Sequence, residues 1–341
     1  TFFTSEVARF IIDANSRISL SNNDAGASGR SYNTIFGYLA GDDLQSTGIY
    51  NSFFGDSAGH QVTTGDYNTA FGLFALDGST VPDRCTAIGT STLRGNVEAA
   101  AQGATAVGFS ALNVLTNGAN TTAVGFEAGK SITVGDHNTV LGHSALALEV
   151  GGQNSVAIGS AALYTQDGGD SETAMDNIGI GRNAGYHNVT GIKNTYIGSF
   201  AGQGASGQSN SNNTAIGSKS MLDVTTGSNN VAIGMESAQN LTDGQENVII
   251  GDGAGQTTTS VHDVVVIGRG AMQNGNVTNN ADGTVAVGYK SLEALTSGVG
   301  NTAVGYLSLD AEDDGDRNTA IGYQALTNQT GTSGIVGNTA L

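Results

Sequence analysis

The stretch Asn301 to Leu309, NTAVGYLSL, is followed seventeen residues later by Asn318 to Leu326, NTAIGYQAL. Variants of this phrase recur through the chain, and all of them align on the glycine that follows Val304 and Ile321. These corner glycines, as they are called below, are Gly37, Gly55, Gly72, Gly89, Gly108, Gly125, Gly142, Gly159, Gly181, Gly198, Gly217, Gly234, Gly251, Gly268, Gly288, Gly305 and Gly322. Eleven of the sixteen intervals between them are 17 residues long and none is shorter. This spacing predicts a solenoid whose coils need 17 residues and whose extra residues form loops.

The three residues before each corner glycine predict a short β-strand. The residue directly before the glycine is always large and apolar, as Val304 is, and forms the aliphatic column. The third residue before it is usually Thr, as Thr302 is, and forms the Thr column. Between them lies the Ala column, which holds Ala in ten of seventeen copies, including Ala303. Since alternate residues of a strand share a face, we expect the Thr and aliphatic columns to line the interior of the coil and the Ala column to face outward.

The Ala column carries an expectation about partners. A strand with one face in water alternates apolar and polar residues, whereas a strand covered on both faces is apolar throughout. The Ala column holds Ala in most copies and a bulky residue, such as Phe53 or Tyr196, in others. We therefore expect another copy of the same chain to cover this face.

Two further columns complete the repeat. Asn lies four residues before the corner glycine in eleven of seventeen copies, and such side chains form either a hydrogen-bonded ladder or local turn caps. A second glycine column, seven residues before the corner glycine, supplies a positive φ or a close backbone approach. The positions that we expect to define the structure of the repeat are Asn301, Ala303, Val304, Gly305, Asn318, Ala320, Ile321 and Gly322.

Composition excludes several kinds of partner. The 341 residues carry a net charge of −18, with 30 acidic against 12 basic residues, which disfavours binding to nucleic-acid phosphates. The sequence has no apolar run of the roughly 18 residues that a membrane span needs, so we expect no membrane insertion. Cys85 is the single cysteine and forms no intrachain disulfide. The chain does not begin with Met, and we expect it to be part of a longer protein.

The chemistry-bearing residues predict neither an enzyme nor a cofactor. The five histidines, which show no metal-ligand spacing, are His60, His137, His143, His187 and His262. Acidic residues cluster at 42–43, 167–172 and 310–316, where we expect solvated loops. A weak Ca²⁺ site in the cluster 310–316 is the alternative, since Ca²⁺ prefers carboxylate oxygens. We expect no catalytic residues and no bound cofactor.

The repeat resembles two known families of fibrous proteins. NSVAIGSAAL, Asn154 to Leu163, is similar to the repeats of trimeric autotransporter adhesin heads, which form a left-handed parallel β-roll of three chains. The form with Tyr after the glycine, in NTAVGYLSL and NTAIGYQAL, is similar to repeats of bacteriophage tail fibres. The resemblance implies an all-β fold, a parallel β-solenoid or β-roll of about seventeen 17-residue coils, and a homotrimer in which three copies of the chain form one fibre. Adhesin heads usually repeat at about fourteen residues, so the handedness of the coil stays open.

The resemblance also implies a domain organisation and a function. Residues 1–30 form an N-terminal β-hairpin segment and residues 31–341 the solenoid shaft. The function implied is the structural shaft of a phage tail fibre in the virion, which contributes to host attachment. The alternative is a bacterial surface adhesin or extracellular filament, and a polysaccharide-degrading tailspike is a weaker one. A host cell-surface glycan or protein is the partner expected beyond the chain itself.

Two surface features bear on that partner. The longest insertion, Tyr164 to Met175, is where we expect contacts with a receptor, because lengthened loops often carry binding sites. The tyrosines that follow corner glycines, which we expect to pack at the corner and to be partly exposed, are Tyr38, Tyr289, Tyr306 and Tyr323.

Another possible function of a repetitive surface is ice binding, which needs an exposed, flat array of Thr. It is disfavoured because we expect the Thr column to point inward.

Overall fold

The fold is all-β, as predicted. A computed structural model describes residues 2–4, 7–12, 18–19, 32–98, 102–275, 277, 279–331, 334–335 and 337–341. Each of the seventeen repeat copies contributes one three-residue strand, and the last short strand, Thr339–Ala340, follows the same pattern. Within these residues the single helical element is a 3₁₀ turn at Asn279–Ala281. Contacts divide the chain into unit 1 (residues 1–144, 148–152 and 169–172) and unit 2 (145–147, 153–168 and 173–341).

Unit 1 stacks seven solenoid strands in parallel and in register. These strands are β4 (Thr34–Phe36), β5 (Ser52–Phe54), β6 (Thr69–Phe71), β7 (Thr86–Ile88), β8 (Thr105–Val107), β9 (Thr122–Val124) and β10 (Thr139–Leu141). Like positions pair with like: Thr122 lies opposite Thr139, and Ala106 opposite Ala123. The repeat phrase therefore sets the register of the sheet directly.

Unit 2 stacks its strands in the same way. Its strands are β12 (Val156–Ile158), β13 (Thr173–Ala174), β14 (Ile178–Ile180), β15 (Thr195–Ile197), β16 (Thr214–Ile216), β17 (Val231–Ile233), β18 (Val248–Ile250), β19 (Val265–Ile267), β20 (Val285–Val287), β21 (Thr302–Val304), β22 (Gly315–Asp316), β23 (Thr319–Ile321), β24 (Gly334–Ile335) and β25 (Thr339–Ala340). The short strand β11 (Gly152–Gln153) lies where the two units meet in sequence. The solenoid strands pair in parallel from Val156 to Ala340.

The N-terminal residues form antiparallel strands. β1 (Phe2–Thr4) pairs with β2 (Val7–Ile12), and β2 pairs with β3 (Ile18–Ser19). This is the pairing of a hairpin, and residues 13–17, between β2 and β3, lie outside the described residues.

The prediction for the two faces of each solenoid strand is wrong: the Ala column is the interior. Ala303 and Ala320 are fully buried, whereas Ile321 is 42% exposed. The coil is narrow, and the wall opposite the strand is made of the small residues that lie three positions after the corner glycine, such as Ala75 and Ala111, which are also fully buried. The Ala column and these small residues line the interior, and because alternate residues of a strand lie on opposite faces, the Thr and aliphatic columns point outward.

Two positions of a coil compensate each other in side-chain size, so that one holds a large residue where the other holds a small one. Where the Ala column holds Ala70, the residue four after the corner glycine is Leu76, and both are fully buried. Where the Ala column holds Phe53, that position is Gly59, and a Cβ added there would lie 2.7 Å from the Phe53 ring. Tyr196 fills its coil in the same manner, and its hydroxyl donates a hydrogen bond to Asn210 Oδ1.

The two glycine columns have different causes. Gly72 is typical of the corner glycines: its φ is 138°, and an added Cβ would lie 2.6 Å from the Gly89 carbonyl oxygen of the next coil. Gly227, in the second column, has no positive φ, but an added Cβ would lie 2.6 Å from the Gly244 carbonyl oxygen. Gly72 thus needs both backbone conformation and space, whereas Gly227 needs space alone.

The asparagine column forms a ladder and also holds a turn. Asn230 Oδ1 accepts the backbone N–H of Asn247 (3.1 Å), and Asn230 Nδ2 donates to Asn213 Oδ1 (3.1 Å). Asn230 Nδ2 also donates to the Gly244 carbonyl (2.8 Å), at the second glycine column of the next coil. These side chains are buried, and each one joins its own coil to its neighbours.

Candidate functional site: the outward face of the sheet

The Thr and aliphatic columns together form the outward face of the sheet. None of its residues in the described solenoid strands is charged, which is unusual for a surface exposed along a whole sheet. Its large apolar side chains at least a third exposed are Phe36, Phe54, Phe71, Ile88, Leu141, Ile267 and Ile321. The backbone N–H and C=O groups of these strands are used in the parallel ladder, so a partner would bind this face through side chains.

The chemistry of the outward face differs between the two units. In unit 1 the Thr column is hydroxylic in all seven strands: Thr34, Ser52, Thr69, Thr86, Thr105, Thr122 and Thr139. In unit 2 the same column is aliphatic in six strands: Val156, Ile178, Val231, Val248, Val265 and Val285. The aliphatic column adjoins both. At these six strands unit 2 presents two neighbouring apolar rows, and its other four three-residue solenoid strands carry Thr195, Thr214, Thr302 and Thr319. Unit 1 presents one hydroxyl row beside one apolar row.

Two rows of aromatic rings border the first three coils of unit 1. Phe36, Phe54 and Phe71 stack with ring centroids 4.8 and 5.0 Å apart. Five residues before each corner glycine, Tyr32, Tyr50 and Tyr67 form a second stack with centroids 5.0 and 4.9 Å apart. The Tyr row was not predicted, although Tyr recurs at one repeat position in three consecutive coils of the sequence.

The eight repeat positions selected from the sequence fall into three places. The buried side chains are Asn301, Ala303, Asn318 and Ala320. Val304 and Ile321 lie on the outward face, whereas the prediction placed them in the interior of the coil. Gly305 and Gly322 have φ of 143° and 132° and turn the chain at the end of each strand. These positions build the coil, and two of them also present the outward face.

The expected tyrosine stripe is a stack. Tyr289, Tyr306 and Tyr323 lie in a row with ring centroids 5.2 Å apart, and Tyr323 is 72% exposed.

In the insertion 164–175, Tyr164 stacks on Tyr186 of unit 2, with ring centroids 5.0 Å apart. Residues 170–172 of that insertion are exposed and acidic in part. Both features leave polar groups at the surface.

One acidic cluster brings three carboxylates together. Oxygens of Glu312, Asp313 and Asp314 lie within 4.8 Å of one another, the one such group among the described residues. Glu312 is fully buried and its Oε1 accepts the backbone N–H of Gly315 (2.7 Å), so that carboxylate holds the turn. Burial and then the neighbouring carboxylates raise the pKa of Asp314. These contacts account for Glu312 as a structural residue, and the Ca²⁺ alternative remains a prediction.

The histidines and the cysteine are dispersed. His60 Nδ1 lies 3.3 Å from Asp77 Oδ1, and the His143 ring stacks on Phe126 at 5.2 Å. Burial lowers the pKa of His187. Cys85 is fully buried in a place that Asn holds in most coils, and burial raises the pKa of its thiol to about 11. A thiol in such a place is a poor nucleophile.

Comparison with known proteins gives no identification: no family model matches the chain, and no curated protein is similar enough to count as a relative. Among the described residues no helix is long and apolar enough to cross a membrane. The outward face therefore has to be interpreted from its own chemistry.

Proposed function

We propose that the chain is the shaft of an extracellular fibre, in which further copies of the same chain cover the outward face of the sheet. The observation that carries the proposal is the absence of charge on that face in the described strands, together with the exposure of Phe54, Leu141 and Ile321. Apolar patches that continue over many strands are typical of permanent interfaces.

The proposed interface lies on the other face of the strands from the one expected from the sequence. The Ala column is in the interior, so the Thr and aliphatic columns meet the other copies. The two rows of Val and Ile in unit 2 are suited to such contact, because they can bury apolar side chains without leaving a polar group unpaired. A trimer remains the proposed state, since it is the state that the resemblance implies.

A phage tail fibre is the proposed setting, and a bacterial adhesin or extracellular filament is the alternative. Both settings need a stiff, extended and water-soluble shaft, and the net charge of −18 favours solubility of the assembled particle. The proposal assigns the chain a structural role with no catalytic residue. Contacts with a host glycan or protein are part of the same proposal.

Ice binding is a second candidate. The hydroxyl row of unit 1 points outward, so the reason for disfavouring an ice-binding face no longer holds. Seven hydroxyl side chains in register, from Thr34 to Thr139, repeat at the strand spacing of about 4.8 Å. An ice-binding protein would keep this face free of other copies.

The native mass of the purified chain separates these candidates. One copy has a mass of 34.3 kDa, and the fibre proposal predicts about three times that value by light scattering. A stable monomer that depresses the freezing point of its solution below the melting point would support ice binding instead. A stable monomer without that activity would contradict both.

A further inference from the structure

A groove lies on unit 1, away from the outward face. It has a volume of about 270 Å³ and is lined by Ser110, Asn113, Val114, Glu127, Lys130 and Ser131. These residues come from two neighbouring coils, and each coil supplies the second, fifth and sixth residues after its corner glycine, Gly108 or Gly125. The groove therefore lies beyond the corner that ends strands β8 and β9.

The groove exists because side chains on its two sides lean apart. Asn113 Nδ2 donates to the Ser91 carbonyl of the preceding coil at 2.8 Å, which draws the amide away from the next coil. Lys130 Nζ donates to Glu127 Oε2 in its own coil at 2.7 Å, which folds the long side chain back. Ser110 is too short to fill the space between them.

The lining supplies both donors and acceptors but little net charge. The Lys130 ammonium is paired with the Glu127 carboxylate, and both side chains are about a third exposed (34% and 27%). The Ser110 and Ser131 hydroxyls can donate or accept, and Asn113 Oδ1 can accept. A small concave site with a few convergent polar groups of this kind is suited to a neutral, hydroxyl-rich ligand.

An aromatic row adjoins the groove in the chain. Phe109 and Phe126 directly precede Ser110 and Glu127, and their rings stack at 5.2 Å with 48% and 46% of each residue exposed. The two rings do not line the groove, but each belongs to the residue next to a lining residue, so an apolar surface lies close to the polar groups. A sugar ring has apolar C–H groups as well as hydroxyls and matches such a combination.

We propose that this groove binds a single ring of a neutral saccharide. The hydroxyls of Ser110 and Ser131, the Asn113 amide oxygen and the Glu127–Lys130 pair hydrogen-bond the sugar hydroxyls. The volume of the groove is below the range of about 300–1,000 Å³ usual for larger ligands, which limits the site to one ring. The site rests on the glycan contact of the proposed function and names its place, but it does not depend on how many copies assemble.

The test uses saturation-transfer NMR on the full chain with methyl glycosides of glucose, galactose and mannose as probes. At least one glycoside should give a signal with the wild-type chain. Ser110→Phe fills the groove and should abolish that signal. The repeat tolerates this side chain, because Phe74 and Phe200 occupy the equivalent position in other coils.

Ala161→Phe is the matched control, since it makes the same side chain at the same repeat position in unit 2. It should keep the saccharide signal at the wild-type level. Equal thermal melting of the two variants shows that any loss of signal comes from the groove. The proposal is overturned if no glycoside binds the wild-type chain, if Ser110→Phe binds as well as Ala161→Phe, or if the zwitterion glycine binds at the groove and the glycosides do not.

Discussion

Phe53 and Gly59 face each other across the interior of one coil, and a Cβ added at Gly59 would lie 2.7 Å from the Phe53 ring. In the next coil the same two positions hold Ala70 and Leu76, both fully buried. In each of these two coils the interior holds one large side chain at this pair of positions, from one wall or from the other.

We expect this pair to show strong coupling in a double-mutant cycle. Gly59→Leu overfills the coil and should destabilise it by about 1–3 kcal/mol, and Phe53→Ala leaves a cavity that costs about 3–5 kcal/mol. Combining the two recreates the Ala70–Leu76 arrangement, so the double variant should melt above Phe53→Ala alone. The Leu backbone is not an obstacle, since Leu76 has a φ of 58° and Gly59 one of 61°. Additive losses in the thermal melts would contradict the shared interior.

Adjacent residues of one strand should respond in opposite ways to the same substitution. Ala303→Lys places an ammonium group in a closed interior and should unfold the neighbouring coils, at a cost of several kcal/mol. Val304→Lys places it on the outward face and should leave the individual chain folded. Under the fibre proposal, Val304→Lys should also lower the native mass towards the 34.3 kDa of one chain.

Circular dichroism melts and light scattering on this pair check both points. If Val304→Lys unfolds the chain while Ala303→Lys does not, the assignment of the two faces is wrong. If Val304→Lys folds and the native mass does not fall, residue 304 is not part of an interface between copies.

The sequence predicts the coils because the phrase repeats, and each copy supplies one strand and one corner. Alternation shows that Thr302 and Val304 share a face, but it does not show which face is the interior. That information is present in the exchange of bulk between Phe53 and Gly59, since two positions compensate in size only when they share a space. The groove could not be predicted, because it depends on the directions in which Asn113 and Lys130 lean.

The Cys85 thiol should be inert in the folded chain. Burial raises its pKa to about 11, so very little thiolate is present at pH 8. We expect alkylation by iodoacetamide to be at least about a hundredfold slower in the native chain than in urea, where the pKa returns to about 8.5. Mass spectrometry measures the rate, and Cys85→Ser should take up no label because Cys85 is the only cysteine. Similar native and unfolded rates would show that the coil opens around this residue.

The asparagine ladder should respond to pH once a carboxylate is introduced. Asn230 Nδ2 donates to the Gly244 carbonyl at 2.8 Å and to Asn213 Oδ1 at 3.1 Å. Asn230→Asp keeps the shape but removes both donors and sets a buried carboxylate against two oxygens. At pH 7 this should cost about 2–4 kcal/mol of stability. The exposed neighbour offers a control of equal charge in Asn229→Asp.

The sign of the pH dependence follows from the folded state. Burial and the facing oxygens raise the pKa of the new carboxyl above its unfolded value of about 3.9. The loss of stability at Asn230→Asp is therefore complete above the folded pKa, and it shrinks as the pH falls towards 3.9, because the protonated carboxyl can donate to the Gly244 carbonyl again. Melting temperatures at pH 7 and pH 4.5, each relative to Asn229→Asp, measure the difference. A gap between the two variants that stays constant with pH would mean that the pKa of the new carboxyl is not raised, and it would contradict the buried, hydrogen-bonded environment of residue 230.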